Sequence, residues 1–278
     1  MKIERMKRTH TTRKATRSSI TLLSGSSKGS NGWNNMSIIY TPSGRAAEYA
    51  ALAANLYSGC DHRCEYCYAP AALRTTPEKH AVPKLRKDLI DNLRKDADKL
   101  ERTGDKRFIM LCFSCDPYQK FDEEQRITRR ALDILLNRNL NVIILTKGGR
   151  RSERDFDILE ANKDKVKYGA TLVFGDDAEA LQREPGAAPT SERIAALKAA
   201  HYRGIHTWVS LEPVYYAQDA LNLIDRTHEF VDEYKVGILN YRWEAKQVNW
   251  YEFARQVEIK LKALGKPYYL KKDLRKYL

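Results

Sequence analysis

Hydrophobic and polar positions follow two alternating periods along most of this 278-residue chain. Apolar runs of strand length occur at 36–40, 107–113, 141–146, 166–174, 206–211, 234–239 and 268–270. Between most of these runs, apolar residues recur at every third or fourth position, which predicts amphipathic helices at 85–102, 123–137, 152–162, 191–203, 218–232 and 250–264. Strands that alternate with helices in this way predict βαβ units around a parallel sheet.

The same pattern predicts which side chains are buried. The helix at 85–102 has one apolar face, formed by Leu85, Leu89, Leu93 and Leu100. The next helix turns four residues inward, namely Ile127, Ala131, Ile134 and Leu135. Ser191 is expected to cap the helix that follows it, with Glu192 favourable in the first turn. About six βα units fit either an incomplete (β/α) barrel or a doubly wound open sheet.

Positive charge is concentrated at the two ends of the chain. Residues 1–30 contain eight Lys or Arg and one Glu, and residues 260–278 contain seven Lys or Arg and one Asp. These ends together account for the whole formal net charge of +13. Such ends are typical of proteins that contact nucleic acid, although solvated tails have the same composition. Few large apolar residues lie in 1–36, which predicts a basic flexible arm ahead of one domain at 37–278.

Cysteine usage and hydropathy bear on the compartment. The chain has five cysteines, and three of them lie within eight residues, which is not a disulfide framework. We therefore expect a reducing, cytoplasmic location. No apolar run is long enough to span a membrane, and the basic N-terminal stretch lacks the apolar core of a secretory signal.

Three cysteines lie close together, Cys60, Cys64 and Cys67, at C-x3-C-x2-C spacing. This spacing lets one short loop surround a single inorganic cluster. A [4Fe–4S] cube usually takes four thiolates, so three local ones leave one iron open to a small molecule. The alternative is a structural zinc loop with His62 or His80 as the fourth ligand. Zinc loops usually consist of two separate C-x2-C halves, and the sequence shows no clear second half.

The cysteine spacing, with Tyr66 just before the third cysteine, resembles the signature of radical S-adenosylmethionine (SAM) enzymes. The resemblance implies an α/β fold, an incomplete parallel (β/α)6-type barrel, that contains a [4Fe–4S] cluster. It also implies that the amino and carboxylate groups of SAM bind the open iron. An electron from the cluster would then split the sulfonium and yield a 5′-deoxyadenosyl radical that abstracts hydrogen. An external one-electron donor, such as a flavodoxin or ferredoxin, is implied as a partner.

Polar residues also follow the predicted strands at the points where these strands end. In barrels this edge carries the chemistry. The segments 55–60, 114–118, 146–147 and 208–213 are similar to the spore photoproduct lyase branch of the radical SAM enzymes, and the similarity extends over about residues 37–275.

This second resemblance implies roles for several strand-end residues. By position, Tyr66 would pack near the adenine of SAM, and Ser114 and Asp116 would contact the ribose and backbone of SAM. Lys147 would pair with the SAM carboxylate, and Thr171 would be a small polar contact. Glu212 is an additional candidate that would accept from the SAM amino group or from the substrate. Simpler interpretations are a solvated strand end for Lys147 and a Glu-Pro strand terminator for Glu212.

Two further cysteines, Cys112 and Cys115, lie at the end of the strand at 107–113. Spore photoproduct lyases use a cysteine near this strand end to return a hydrogen atom to the product radical. Strand alternation predicts that the two thiols face opposite sides of the sheet. Cys115 lies nearer the reactive edge and is the preferred catalytic donor, with Cys112 as the second candidate. An inert buried cysteine is the alternative for both.

The resemblance also suggests DNA as the partner, because spore photoproduct lyase acts on a thymine dimer. A target base must leave the duplex to reach a buried radical. Aromatic residues in 240–243 and 250–251 are candidates to stack on such a base, with ordinary packing as the alternative. The segment 39–49 is similar to phage-encoded radical SAM proteins, some of which elaborate thymine in viral DNA. The leading hypothesis is therefore isomerisation of 5-N-glycinyl-thymidine, a modified thymine, to its C-linked form.

Three rival hypotheses remain open. Repair of a thymine photoproduct would require a correctly placed donor cysteine. A maturase acting on a peptide or protein would leave the basic arm as a solubility tail. A cluster-containing DNA-binding protein without enzymatic activity is the third, and Lys147 together with the ordered strand-end groups argues against it.

Overall fold

The structure is a computed structural model that describes residues 37–278. The strands in this range are β1 Ile39–Tyr40, β2 Leu52–Ala54, β3 Tyr57–Ser58, β4 Lys84–Leu85, β5 Phe108–Leu111, β6 Asn141–Thr146, β7 Val166–Thr171, β8 His206–Leu211, β9 Glu233–Val236 and β10 Tyr268–Leu270. The helices are α1 Ala69–Ala72, α2 Pro77–His80, α3 Leu89–Arg102, α4 Asp122–Gln125, α5 Ile127–Leu136, α6 Phe156–Ala161, α7 Asp177–Arg183, α8 Thr190–Tyr202, α9 Ala217–Thr227, α10 Trp250–Ala263 and α11 Lys272–Arg275. The arm predicted at 1–36 lies outside the described residues.

Eight strands form one curved sheet in the order β1-β2-β5-β6-β7-β8-β9-β10. Every pair from β2 to β10 is parallel, and β1 adds an antiparallel edge next to β2. A doubly wound sheet reverses its strand order at a switch point, whereas this order follows the chain throughout. The predicted incomplete barrel is therefore confirmed. Among the described residues, no helix has the length and apolar character of a membrane span.

Two local predictions are wrong at helix starts. The helix predicted from residue 85 begins at Leu89, because Asp88 has a left-handed φ of 50° and Leu85 pairs with Tyr57 in the β3–β4 hairpin. Ser191 does not cap α8, which begins one residue earlier after Pro189. Its N–H and hydroxyl instead donate hydrogen bonds to the carboxylate of Asp177 at 2.8 and 2.5 Å. The apolar face predicted on α5 is buried as expected.

The interior of the barrel is built around Trp208 on β8. Its indole packs with Met110 and Ile143, and it fills the space opposite Gly169, where any side chain would overlap it. Alternation along β8 directs Ser210 and Glu212 to the same side as Trp208, one and two layers nearer the carboxyl edge. Trp208 thus closes the lumen in the interior of the barrel, and the lumen is polar nearer the carboxyl edge.

The segment Gly44–Tyr49 bridges the two ends of the sheet. The Glu48 carboxylate accepts a hydrogen bond from the Tyr269 phenol on β10 at 3.0 Å. The Tyr49 phenol lies between Ser210 and Glu212, at 2.9 and 2.6 Å. Because this segment immediately precedes β2, it joins the first parallel strand to the last. The gap of the incomplete barrel is therefore closed by side chains instead of a strand.

Candidate active site at the carboxyl edge of the barrel

The cysteine loop follows the β3 strand and is fixed on both sides. The Cys60 N–H donates to the His80 carbonyl at 2.7 Å, and the Glu65 N–H donates to the Arg183 carbonyl at 3.0 Å. The Asp61 carboxylate accepts from the Phe121 N–H at 2.8 Å. A Cβ atom at Gly186 would overlap the Asp61 carbonyl, so glycine is required for this close approach.

The three thiols of this loop are partly buried, and burial raises the pKa of each one, to about 12 for Cys64. Two other effects act against burial, because they lower the pKa of these thiols and so favour the thiolate form. The nearby Lys147 lowers the pKa of Cys64 and Cys67, and the backbone N–H groups of His62 and Ala69 hydrogen-bond the sulfurs of Cys60 and Cys67. Hydrogen bonds to sulfur are among the features that tune iron–sulfur clusters.

The donor set fits a [4Fe–4S] cluster, since one loop offers three thiolates with N–H and ammonium support. In residues 37–278, no three His, Cys, Asp or Glu side chains already surround a common metal position. The fit therefore rests on the chemistry of the donors and on the anchored loop.

Neither candidate histidine for a zinc site is free to bind metal. His62 is buried, with Nδ1 3.5 Å from the Asp116 carboxylate and Nε2 3.1 Å from the Arg151 guanidinium. Burial lowers the pKa of His62 to about 3, so the ring is neutral. The Nε2 atom of His80 hydrogen-bonds the Ser114 carbonyl at 2.9 Å. Both rings are engaged in contacts within the protein, which disfavours the zinc alternative.

Asp116 links the cysteine loop to the ends of β5 and β6. Its carboxylate accepts from the Thr146 hydroxyl at 2.6 Å and from the Lys147 N–H at 2.7 Å, and it faces His62. Burial alone would raise the pKa of Asp116, but the hydrogen bonds from the Thr146 hydroxyl and the Lys147 N–H lower it. The carboxylate is only 8% exposed and is used by the protein itself. Its contact with SAM stays a prediction, as does that of the neighbouring Ser114.

Tyr66 and Lys147 are brought together above the loop. The Lys147 ammonium lies 5.5 Å from the centroid of the Tyr66 ring. The Tyr66 phenol donates to the carboxylate of Glu184, which also pairs with Arg193. Arg193 in turn donates to the Thr171 carbonyl at 3.1 Å. These five residues thus form one connected network, in which the direct contacts of Tyr66, Lys147 and Thr171 with SAM stay predictions.

Glu184 and Arg193 were missed by sequence reasoning. Both are fully buried, with 0% and 1% exposure, and they lie on either side of the turn between α7 and α8. No motif or periodicity marks them, because each is one of many charged residues in polar segments. Only the folded loop shows that they support Tyr66.

The prediction that Cys112 and Cys115 face opposite sides of the sheet is wrong. The β5 strand ends at Leu111, and Cys112 has a left-handed φ of 65°, so strand alternation does not extend to it. Cys112 belongs to the main hydrophobic cluster, and Cys115 packs against the same cluster. Cys112 is buried at 5% exposure, whereas Cys115 is partly exposed. The choice of Cys115 as hydrogen donor stays a prediction.

Glu212 is paired with a lysine that the sequence assigned to a basic tail. Its Oε2 accepts from the Lys271 ammonium at 2.5 Å and from the Tyr49 phenol at 2.6 Å. Lys271 is only 3% exposed, so it does not belong to a surface for polyanions. Contact of Glu212 with SAM or with a substrate stays a prediction.

The aromatic segment after β9 divides into exposed and buried parts. Tyr241 and Trp243 are 88% and 67% exposed, whereas Trp250 is buried in the core at 7%. Arg242, between the two exposed rings, lies 3.3 Å from the carboxylate of Glu65 in the cysteine loop. The exposed pair therefore flanks, in sequence, an arginine that contacts the cysteine loop.

Comparisons with known proteins identify the family and the fold. The family model of the radical SAM superfamily matches residues 54–226. Streptococcus suis SuiB bound to S-adenosylmethionine aligns with a TM-score of 0.59 and 12% identity, over 78% of this chain and 49% of that one. This chain thus spans about half the length of SuiB. A spore photoproduct lyase variant with dinucleoside spore photoproduct aligns with a TM-score of 0.61 and 14% identity, over 80% and 77%.

A second lyase variant, with bound AdoMet and the dinucleoside photoproduct, aligns with a TM-score of 0.59 and 14% identity, over 80% of this chain and 76% of that one. At such identities these likenesses show the fold. No curated protein sequence matches the chain at a significant level. The family match covers more than half of the chain. The chain therefore belongs to the radical SAM superfamily, whose members use a [4Fe–4S] cluster and S-adenosylmethionine.

Proposed function

We propose that this enzyme isomerises 5-N-glycinyl-thymidine in DNA to its C-linked form, as a step of viral DNA hypermodification. The observation that carries the proposal is the exposed pair Tyr241 and Trp243 on either side of Arg242, which contacts Glu65 of the cysteine loop. Exposed aromatic rings with an arginine between them are a stacking platform for extruded bases. A spore photoproduct lyase of similar fold holds a thymine-derived dinucleoside, which supports a base as the substrate class.

Cys60, Cys64 and Cys67 would hold the cluster, and Lys147 would pair with the SAM carboxylate. When loaded, the cluster and SAM supply a carbon radical that abstracts hydrogen. A reduced flavodoxin or ferredoxin is the proposed electron donor. The role of the protein is to orient the glycyl group and to exclude water, which the closed barrel floor around Trp208 favours.

The rearrangement itself is redox-neutral, because substrate and product contain the same atoms at the same overall oxidation level. Loss of one hydrogen from the glycyl Cα gives a stabilised radical. The thymidyl methylene then moves from nitrogen to this carbon, so that one C–N bond breaks and one C–C bond forms. Return of the hydrogen to nitrogen completes the isomer. Cys115, partly exposed near the end of β5, is the proposed hydrogen donor, and one electron from the flavodoxin or ferredoxin together with one proton restores its thiol.

The test is anaerobic incubation of reconstituted enzyme with SAM, dithionite and one of three DNAs. These carry 5-N-glycinyl-thymidine, a spore photoproduct or unmodified thymine. We expect 5′-deoxyadenosine only with the first DNA, together with a nucleoside of unchanged mass and shifted retention. Dimer reversal would instead establish photoproduct repair. SAM cleavage that depends on an added peptide and not on DNA would establish a maturase.

A further inference from the structure

We propose that Glu212 and Lys271 bind the aminoacyl group of the modified base, with Glu212 receiving the amine and Lys271 the carboxylate. This inference rests on the proposed function and deepens it, because it names the part of the substrate that the barrel floor recognises. Glu212 immediately follows β8 and Lys271 immediately follows β10, so both lie at the carboxyl edge.

Both side chains point into the lumen. Glu212 is two residues beyond Ser210 and four beyond Trp208, on the strand face that Trp208 presents to the interior. The Lys271 ammonium lies 4.5 Å from the centroid of the Tyr49 ring, and that ring packs on Trp208 with 6.0 Å between centroids. The pair thus stands directly above the packed floor of the barrel.

The pair has hydrogen-bonding capacity that the described part of the chain does not use. Oε2 of Glu212 accepts from both Tyr49 and Lys271, and no residue in 37–278 donates to Oε1. The Lys271 ammonium donates one hydrogen bond within this range, although the residue is only 3% exposed. A buried ammonium with one acceptor and one aromatic face is under-satisfied, and a ligand carboxylate would provide the missing acceptor.

Gly237, just after β9, leaves room beside the unused oxygen. A Cβ atom at this position would lie 2.5 Å from Oε1 and from the carboxyl carbon of Glu212. Any other residue would therefore cover or displace this oxygen. With glycine, Oε1 is open to a donor that enters from the lumen.

The charge of the pair selects the class of ligand. A buried ion pair is weak evidence for stability, because desolvation offsets much of the attraction. A neutral pair of opposite charges matches a ligand that itself has an ammonium beside a carboxylate. A phosphate would meet Glu212 unfavourably, and a thymine photoproduct offers neither charge. The methionyl end of SAM has the same chemistry, so an experiment must separate the two sources.

The test uses the cluster-loaded enzyme under anaerobic conditions without reductant, so that binding is measured without turnover. Fluorescence anisotropy gives Kd for three oligonucleotides that carry 5-N-glycinyl-thymidine, its carboxylate-free methylamine analogue, or thymine. We expect wild-type enzyme to prefer the first over the third by about 10- to 100-fold, the range for hydrogen bonds to charged groups. The double variant Glu212→Gln with Lys271→Met should lose this preference. Removing both charges together avoids an unpaired buried charge and should preserve the fold.

Single variants divide the effect between the two groups. Lys271→Met should abolish the difference between the glycinyl and methylamine oligonucleotides, and Glu212→Gln the difference between methylamine and thymine. Lys272→Met, at an exposed neighbouring position, is the matched control and should keep the wild-type preference among the three oligonucleotides. SAM affinity, measured by equilibrium dialysis, should be unchanged in all of them.

Each other outcome has a definite meaning. A double variant that keeps the preference overturns the inference while the proposed function stands. A double variant that loses affinity for SAM but keeps its oligonucleotide preference would assign the pair to SAM binding, which also overturns the inference. Equal affinity of the wild-type enzyme for all three oligonucleotides overturns both the inference and the proposed substrate. A preference lost as expected, without any isomer formed on reduction, supports the binding site and contradicts the proposed isomerisation.

Discussion

The Tyr66 phenol donates a hydrogen bond to the buried carboxylate of Glu184. The same carboxylate pairs with the guanidinium of Arg193, which is 1% exposed. An aromatic residue of the cysteine loop is thus held by an ion pair between α7 and α8. Tyr66 can present a fixed ring above the loop only while this pair is intact.

Replacement of Glu184 by Ala would leave a buried, unpaired guanidinium at Arg193. We expect the free energy of unfolding to fall by about 3–5 kcal/mol. Urea denaturation of the metal-free protein measures this loss. The control is Glu179→Ala, whose partly exposed ion pair with Arg183 at 3.3 Å should contribute less than about 1 kcal/mol. Equal losses in the two variants would contradict this role of Glu184.

Cys67→Ala should prevent cluster assembly, whereas Cys115→Ala should not. Both residues are partly exposed cysteines, but only Cys67 belongs to the anchored loop. Iron and sulfide analysis after anaerobic reconstitution measures the difference. We expect iron in the Cys67 variant to fall to a small fraction of the wild-type content. An unchanged content would mean that these thiols do not hold the cluster.

Gly186→Ala should disturb the cysteine loop, although Gly186 itself lies outside that loop. The added methyl group would overlap the Asp61 carbonyl, so the loop must shift, at a cost of about 1–3 kcal/mol. We expect lower iron incorporation together with reduced thermal stability. Gly175→Ala is the matched control, because its Cβ would come no nearer than 3.3 Å to any atom. Normal iron incorporation in Gly186→Ala would show that the close approach is not required.

Glu233, at the amino end of β9, should contribute to acid sensitivity. The His206 ring, with Nε2 3.7 Å away, and the Lys167 ammonium at 2.8 Å lower the pKa of Glu233 to about 2 from its ordinary value of 4.5. Because the folded pKa is the lower one, this stabilisation is present above pH 4.5 and is lost as the pH falls toward 2.

The corresponding variant is Glu233→Gln. It should be less stable than wild type at pH 7 by about 1–2 kcal/mol, an estimate reduced from the full shift because the side chain is 22% exposed. The difference should narrow as the pH is lowered from 5 to 3. Thermal denaturation across this range measures it, and a difference that does not depend on pH would exclude this cause.

Tyr241→Ala and Trp243→Ala should each weaken binding to single-stranded DNA by about 1–3 kcal/mol, the usual contribution of one stacked base. Tyr202→Ala is the matched control. Tyr202 is 75% exposed but ends α8, just ahead of the amino end of β8 and away from the cysteine loop. Anisotropy with a fluorescent oligonucleotide provides the affinities. Equal effects at the three positions would indicate non-specific contact.

The amino-acid sequence by itself determined the kind of cofactor loop and the architecture. Cysteine spacing is local, so Cys60, Cys64 and Cys67 could be assigned to one loop without knowledge of the fold. Strand–helix alternation is also local, and it predicted a parallel sheet of βα units and the buried face of α5, whereas the family resemblance favoured the barrel over a doubly wound sheet. Errors occurred where one residue left its regular backbone region, as at Asp88 and Cys112.

Only the tertiary structure decided which charged residues support the site. Glu212 and Lys271 are 59 residues apart, and Tyr66 and Glu184 are 118 apart. Such pairs form because parallel strands bring their carboxyl ends to one edge and because burial selects partners for their charges. Periodicity along the chain carries no information about partners across strands, so a lysine in a basic tail and a lysine inside a barrel look the same in sequence.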